Sequence, residues 1–143
     1  MKINKIANLL DLEHVKFLIS IFKENNIEIR LVGGCIRDAL LEREIKDIDT
    51  ATTLEPKDVL SLLKENNIEY DDFAIQYGSI IAYPQNRKIQ ITTLREDINQ
   101  MGRHTNVIYT NSWKKDSARR DFTFNALYVG TVSYTHLTLP TKA

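Results

Sequence analysis

Only one cysteine, Cys35, occurs in the 143 residues, so an internal disulfide is excluded and a reducing compartment, cytoplasm or organelle matrix, fits the chain. The histidines, His14, His104 and His136, are scattered too widely to give the ligand spacing of a zinc site. A surplus of either charge is also missing. Lys plus Arg and Asp plus Glu are 19 each, so any contact with nucleic acid must come from a local patch rather than from the summed field. No apolar run approaches the length of a membrane-spanning helix, and Met1 to Leu18 is interrupted by Lys, Asn, Asp and Glu where a signal peptide would be continuous. No internal repeat, low-complexity tract or interdomain linker is discerned, and nothing points to a membrane or a protein partner.

What is present is the mixture of a globular domain: 43% hydrophobic and 27% charged residues, in a length suited to one domain with a real core. Apolar residues from Asp11 to Lys23 recur at three and four spacings, predicting an amphipathic helix that Asn25 and Asn26 end. Ile27 to Val32 reads as a strand running into Gly33 and Gly34, and Cys35 to Leu41 as a short helix. Ile45 to Ala51 reads as a second strand, and Pro56 opens a helix to Asn66 as a residue suited to a first helical turn. Gly78 to Tyr83 and Lys88 to Leu94 alternate around a Pro84 to Arg87 turn, predicting two antiparallel strands. Arg95 to Lys115 shows no clean period and reads as a long loop with brief strand pieces. Asp116 to Leu127 looks helical, with Asp116 or Ser117 as N-cap. The Thr-rich segment 131–143 does not follow from what precedes it. It reads as a translated adapter or vector end, the other reading being an edge strand that stops at Pro140.

The chemistry concentrates in LVGGCIRDALLEREIKDIDTAT, residues 31–52. Asp47 and Asp49 are two apart on the expected strand, so both carboxylates share one face while Ile48 takes the other. Such a pair supplies hard oxygen donors suited to magnesium, which keeps several waters and takes one or two carboxylates together with substrate phosphates. Gly33 and Gly34 let the backbone turn sharply and approach a phosphate closely, and the helix opening at Cys35 presents free N–H groups. Arg37 could reach a phosphate or pair with a carboxylate. Taken singly, each feature has an ordinary reading: an Asp-x-Asp is most often a solvated strand edge, a Gly-Gly a turn, and Arg119, Arg120 and Asp121 a charged helix face. Cys35, with no histidine near it in sequence, reads as a packed residue rather than a nucleophile.

The ordered combination alters that balance. Gly-Gly, an aliphatic, Arg-Asp, Leu-Leu and then Asp-x-Asp-x-Ala-Thr, read here from Gly33 to Thr52, resembles the signature of the class II tRNA nucleotidyltransferase (CCA-adding enzyme) and poly(A) polymerase family head domain. ITTLREDINQMGRH, residues 91–104, is similar to the segment after that family's catalytic strand, and RRDFTFNALY, residues 119–128, to its ribose- and triphosphate-contacting helix. The resemblance covers about Ile27 to Tyr128. It implies an α+β, polymerase-β-like nucleotidyltransferase fold, a small mixed sheet with helices packed on one side. By resemblance Asp47 and Asp49 are catalytic and bind Mg2+, while Gly33, Gly34, Arg37, Arg120, Asp121 and Asn125 contact the nucleotide. The implied partners are tRNA, at its 3′ end, with CTP and ATP. The implied reaction is CCA addition, the alternatives being polyadenylation, A-only or CC-only addition, or an inactive nucleotide-binding fragment. The head would occupy residues 1–130, with the family's neck, body and tail absent after it.

Two departures from the family pattern bear on the site. Glu42 stands where relatives carry a glycine after Leu40 and Leu41. Gln90 stands just ahead of the Thr92–Thr93 pair, where relatives commonly carry an acidic residue, and a neutral amide cannot supply a third carboxylate's charge.

Overall fold

A computed structural model describes residues 8–33, 35, 36, 38, 41, 47–98, 106–118, 128, 129, 137 and 138. Helix α1 (Glu13–Glu24) leads to strand β1 (Ile29–Val32), which is followed by β2 (Ile48–Thr52) and helix α2 (Pro56–Glu65). Then come β3 (Tyr70–Asp71), β4 (Ser79–Ala82), β5 (Ile89–Thr93), β6 (Arg95–Ile98), β7 (Asn106–Tyr109), helix α3 (Trp113–Ala118), β8 (Tyr128–Val129) and β9 (Leu137–Thr138). Seven strands form one sheet in the order β3-β4-β5-β2-β1-β8-β9, and β6 and β7 pair as a separate ribbon. Only β2 and β5 run parallel; the other neighbours are antiparallel, so the expected α+β class with a small mixed sheet is what the chain adopts.

Strand alternation divides the sheet's work. Ile29 and Leu31, Ile48, Ile80 and Ala82, and Ile89 and Ile91 point to one face, where they meet Val15, Leu18 and Phe22 of α1 and Val59, Leu62 and Leu63 of α2 in the main core. The opposite face holds a smaller cluster of Val32, Ala51 and Leu94, covered by Trp113 of α3. The helices are therefore not all on one side, as the resemblance implied. Buried hydroxyls on the core face are satisfied: Thr50 Oγ1 donates to Gln90 O at 2.9 Å, Thr52 Oγ1 to Glu28 O at 2.7 Å and Thr93 Oγ1 to Leu54 O at 2.6 Å.

Both long helices stop in the same way. The six residues Lys-Glu-Asn-Asn-Ile-Glu occur twice, at 23–28 and 64–69, a recurrence too short to be a structural repeat. In each copy the second asparagine, Asn26 or Asn67, is left-handed with φ of 57° or 56°. The isoleucine N–H then reaches back, Ile27 to Phe22 O at 2.9 Å and Ile68 to Leu63 O at 3.0 Å, while the first asparagine caps a carbonyl with its side-chain amide. Pro56 opens α2 as expected.

Two expectations need correction. Arg95 to Lys115 is not mainly loop: β6 and β7 pair in register from Arg95↔Tyr109 to Ile98↔Asn106, and α3 begins at Trp113. Asp116 and Ser117 lie inside α3 rather than at its start, and residues 119–127 of the helix expected from Asp116 to Leu127 lie outside the described residues. Ser112 takes the capping place of α3, its Oγ accepting from Lys115 N at 3.2 Å, and Asp116 has 0% exposure. Segment 131–143 contributes β9, which pairs with β8 at the sheet edge.

Candidate nucleotidyl-transfer site

The register of β1 and β2, with Leu31 opposite Thr50, brings the end of β1 alongside the start of β2. There the chain leaves β1 through Gly33, buried and at φ 76°, a left-handed backbone that a side chain would strain. Ile36 N donates to Gly33 O at 3.1 Å, so the corner closes directly into helical residues 35 and 36. The Cys35 thiol lies under this corner, donating to Val32 O at 3.3 Å and touching Asp49 O at 3.7 Å. The glycine turn and the acidic strand are thus joined through one buried side chain.

Asp49 is half-buried on β2, and by alternation it faces the same way as Ala51, away from the main core. Asp47 is exposed and lies just ahead of the strand rather than inside it, because β2 starts at Ile48 and not at Ile45. The two acids therefore share the β2 end that meets Gly33, one on the strand and one at its mouth. Among the described residues no group of three or more His, Cys, Asp or Glu side chains could hold a metal ion. A pair of carboxylates at an open sheet end suits magnesium, whose remaining positions are filled by water and phosphate oxygens.

Beside Asp49 on the parallel neighbour stands Gln90. Its Nε2 donates to Ser79 Oγ at 3.5 Å, and Ser79 Oγ shares a hydrogen bond of 3.0 Å with Thr92 Oγ1. A polar row therefore crosses β2, β5 and β4 on the face that carries Asp49. The sequence singled out Gln90 but not Ser79 or Thr92, whose membership follows from the register Ser79↔Thr92. Burial pushes the Cys35 thiol up to about 11, outweighing the hydrogen bond to the Asp49 carbonyl that pulls it down, while the Asp49 charge adds a smaller upward push. At neutral pH the thiol is protonated packing material, as expected from the sequence. Gly34, Arg37, Arg120, Asp121 and Asn125 lie outside the described residues. An open cleft of about 580 Å³ lined by Thr53, Glu55, Glu96, Ile108, Tyr109 and Lys115 is at the far end of β2 from Asp47.

Residues 29–138 match the model of the poly A polymerase head domain. The chain belongs to that family. It is 35% identical over 114 residues to the mitochondrial CCA tRNA nucleotidyltransferase 1 of Danio rerio, an alignment covering 79% of this chain and 26% of that protein. The crystal structure of the Bacillus stearothermophilus CCA-adding enzyme in complex with CTP superposes with a TM-score of 0.74 at 26% identity, covering 90% of this chain and 29% of that one. A tRNA nucleotidyltransferase complexed with a primer tRNA and an incoming ATP analogue gives 0.63 at 25% identity, covering 85% and 34%. This poly A polymerase head domain chain thus spans about a quarter to a third of the length of the relatives it matches. Among the described residues no helix is long and apolar enough to cross a membrane.

Proposed function

We propose that this chain is the catalytic head of a template-independent RNA nucleotidyltransferase that adds C and A from CTP and ATP to the tRNA 3′ end. The observation behind the reading is the junction of the Gly33 corner with the Asp49 backbone through the Cys35 thiol, which brings a tight glycine turn to the end of β2 where Asp47 and Asp49 lie. The relatives, one of them bound to CTP and one to tRNA with an ATP analogue, support the same choice of substrates. In this reading Asp47 and Asp49 hold Mg2+, while Gly33, Gly34 and Arg37 approach the triphosphate and Arg120, Asp121 and Asn125 contact the nucleotide. Magnesium held by Asp47 and Asp49 would lower the pKa of the attacking hydroxyl and neutralise the leaving pyrophosphate. The RNA 3′ oxygen forms the new bond to the α-phosphate as the bond to pyrophosphate breaks, and the hydroxyl proton passes to solvent. The protein contributes position and fixed charge rather than covalent chemistry. Residues 1–130 constitute the head, β9 being an edge addition beyond it, and the chain works in the cytoplasm or an organelle matrix.

Incorporation of labelled CTP and ATP into tRNA in the presence of Mg2+ tests this. Asp49→Ala is expected to lower incorporation by about 100-fold or more. Incorporation indifferent to Asp49→Ala would sink the assignment, and nucleotide binding without any incorporation would reduce the chain to a binding fragment.

A further inference from the structure

On the sheet face that carries Asp49, the two sides of β2 are chemically unlike. Toward β1 lies the Gly33 corner, and toward β5 lies Gln90, the residue paired with Asp49. Gln90 has Asp49 on one side and Ile81 of β4 on the other, a carboxylate and an aliphatic, so neither neighbouring side chain offers its amide oxygen a donor. Its Nε2 donates to Ser79 Oγ at 3.5 Å, and that hydroxyl is held in turn by Thr92 Oγ1 at 3.0 Å. The amide is thereby turned with its nitrogen toward the hydroxyls, and among the described residues no donor reaches its Oε1. Ser79, Gln90 and Thr92 are all half-buried, so the row is open to a ligand as well as to water. On the β2 side it stops at Ala51, which pairs with Thr92 and is 0% exposed in the cluster that Trp113 covers.

An uncharged row beside a carboxylate is a poor seat for phosphate, which calls for cations or clustered N–H donors. It suits a sugar hydroxyl, which can donate to an amide oxygen. The in-line course of the transfer says which sugar. With the pyrophosphate leaving over the Gly33 corner, on the β1 side of Asp49, the attacking oxygen enters from the opposite side of the α-phosphorus, over β5. The 3′ hydroxyl of the RNA therefore approaches Asp49 from the Gln90 side, and the hydroxyl next to it on the same ribose is the 2′ hydroxyl. We propose that Gln90, oriented by Ser79 and Thr92, is the seat for the 2′ hydroxyl of the RNA's terminal nucleotide, accepting its hydrogen bond at Oε1 and so setting the adjacent 3′ oxygen against Asp49. This rests on the nucleotidyltransferase reading above and deepens it, giving the acceptor strand a selectivity for ribose over deoxyribose.

The test measures binding of a fluorescein-labelled RNA hairpin to the 143-residue chain by anisotropy, with Mg2+ and no nucleotide, the hairpin's terminal nucleotide carrying a 2′ hydroxyl, a 2′ hydrogen or a 2′ fluorine. Fluorine keeps the ribose pucker but cannot donate. The hydroxyl end is expected to bind about tenfold more tightly than either of the others, and Gln90→Leu to bind all three alike at the weaker level. Mn2+ binding by electron paramagnetic resonance is expected to stay within about threefold in Gln90→Leu, because the amide meets ribose rather than metal. A folded Gln90→Leu that keeps the preference overturns the proposal, as does its loss of Mn2+ binding, or an unaltered chain that binds the three ends alike. If Gln90→Leu does not fold, Ser79→Ala decides, since it frees the amide to turn: a preference reduced to about threefold or less supports the proposal, and an unreduced one overturns it. Equilibrium dialysis of CTP against 2′-deoxy-CTP separates the two riboses, for a Gln90→Leu chain that loses that preference instead assigns the seat to the incoming nucleotide and overturns the proposal. An unaltered chain that binds Mn2+ and CTP but no RNA end overturns this proposal alone, whereas one that binds neither Mn2+ nor CTP removes the nucleotidyltransferase reading with it.

Discussion

On the sheet face that meets α1 and α2, Ile29, Leu31, Ile48, Ile80, Ile89 and Ile91 are at most 5% exposed, whereas the other face presents Arg30, Asp49, Ser79, Gln90 and Thr92, all half-buried. The same strands supply both sets, one residue out of phase. A face filled with branched aliphatics cannot shift without opening cavities, so it holds the polar face in register at no cost to that face's access to water. Stability and chemistry are separated by the thickness of one backbone.

That separation can be broken from either side. Leu31→Ala, at a fully buried position, is expected to cost about 2–5 kcal/mol, read as a lower urea midpoint with unchanged slope. A loss below about 1 kcal/mol would mean that the aliphatic face is not the main support. Cys35 stands between the two faces and should respond to alkali. Its folded pKa of about 11 lies above the ordinary 9.0, so its contribution is complete below pH 9 and is lost as pH rises from 9 to 11. The loss should reach about 2–3 kcal/mol in chemical denaturation at those pH values, and a Cys35→Ala chain should lack that slope. The smallest expected effect lies on the polar face. Gln90→Glu places a carboxylate beside Asp49 and is expected to raise Mn2+ affinity about fivefold, measured by paramagnetic resonance, while moving stability by less than about 1 kcal/mol. No change in metal affinity would indicate that Gln90 does not face the ion.

Much of this arrangement is legible in the residues themselves, and the parts that are not share a cause. The Pro84 to Arg87 turn, Pro56 at its helix start and the Asn-Asn helix ends are local events governed by local chemistry, and the diglycine with Asp-x-Asp is a short-range pattern. The ribbon Arg95–Tyr109 shows no period-2 apolar signal because it is a pair outside the main sheet: Glu96 faces Ile108, and Ile108 remains 45% exposed. The start of β2 is misread by three residues, since its core face after Ile48 is Thr50 and Thr52, whose burial depends on carbonyl partners far away in sequence. Asp116 imitates an N-cap because the same carboxylate chemistry that caps a helix also serves a distant N–H, and only the fold tells which N–H it meets. The row Gln90, Ser79 and Thr92 needs register across two strands, which composition does not carry.

The pairing of β2 with β5 is the one parallel contact among the described strands, and it joins Ile48 to Ile89 across a long stretch of sequence. A hairpin such as β4 and β5 can zip from its turn, but β2 must wait until α2 and that hairpin have been laid down. The strand that carries Asp49 therefore gains its second neighbour through a contact of long sequence separation, the kind expected to form slowly. Without β5 the acidic end of β2 has only β1 beside it, so the shape of that end depends on the completed sheet.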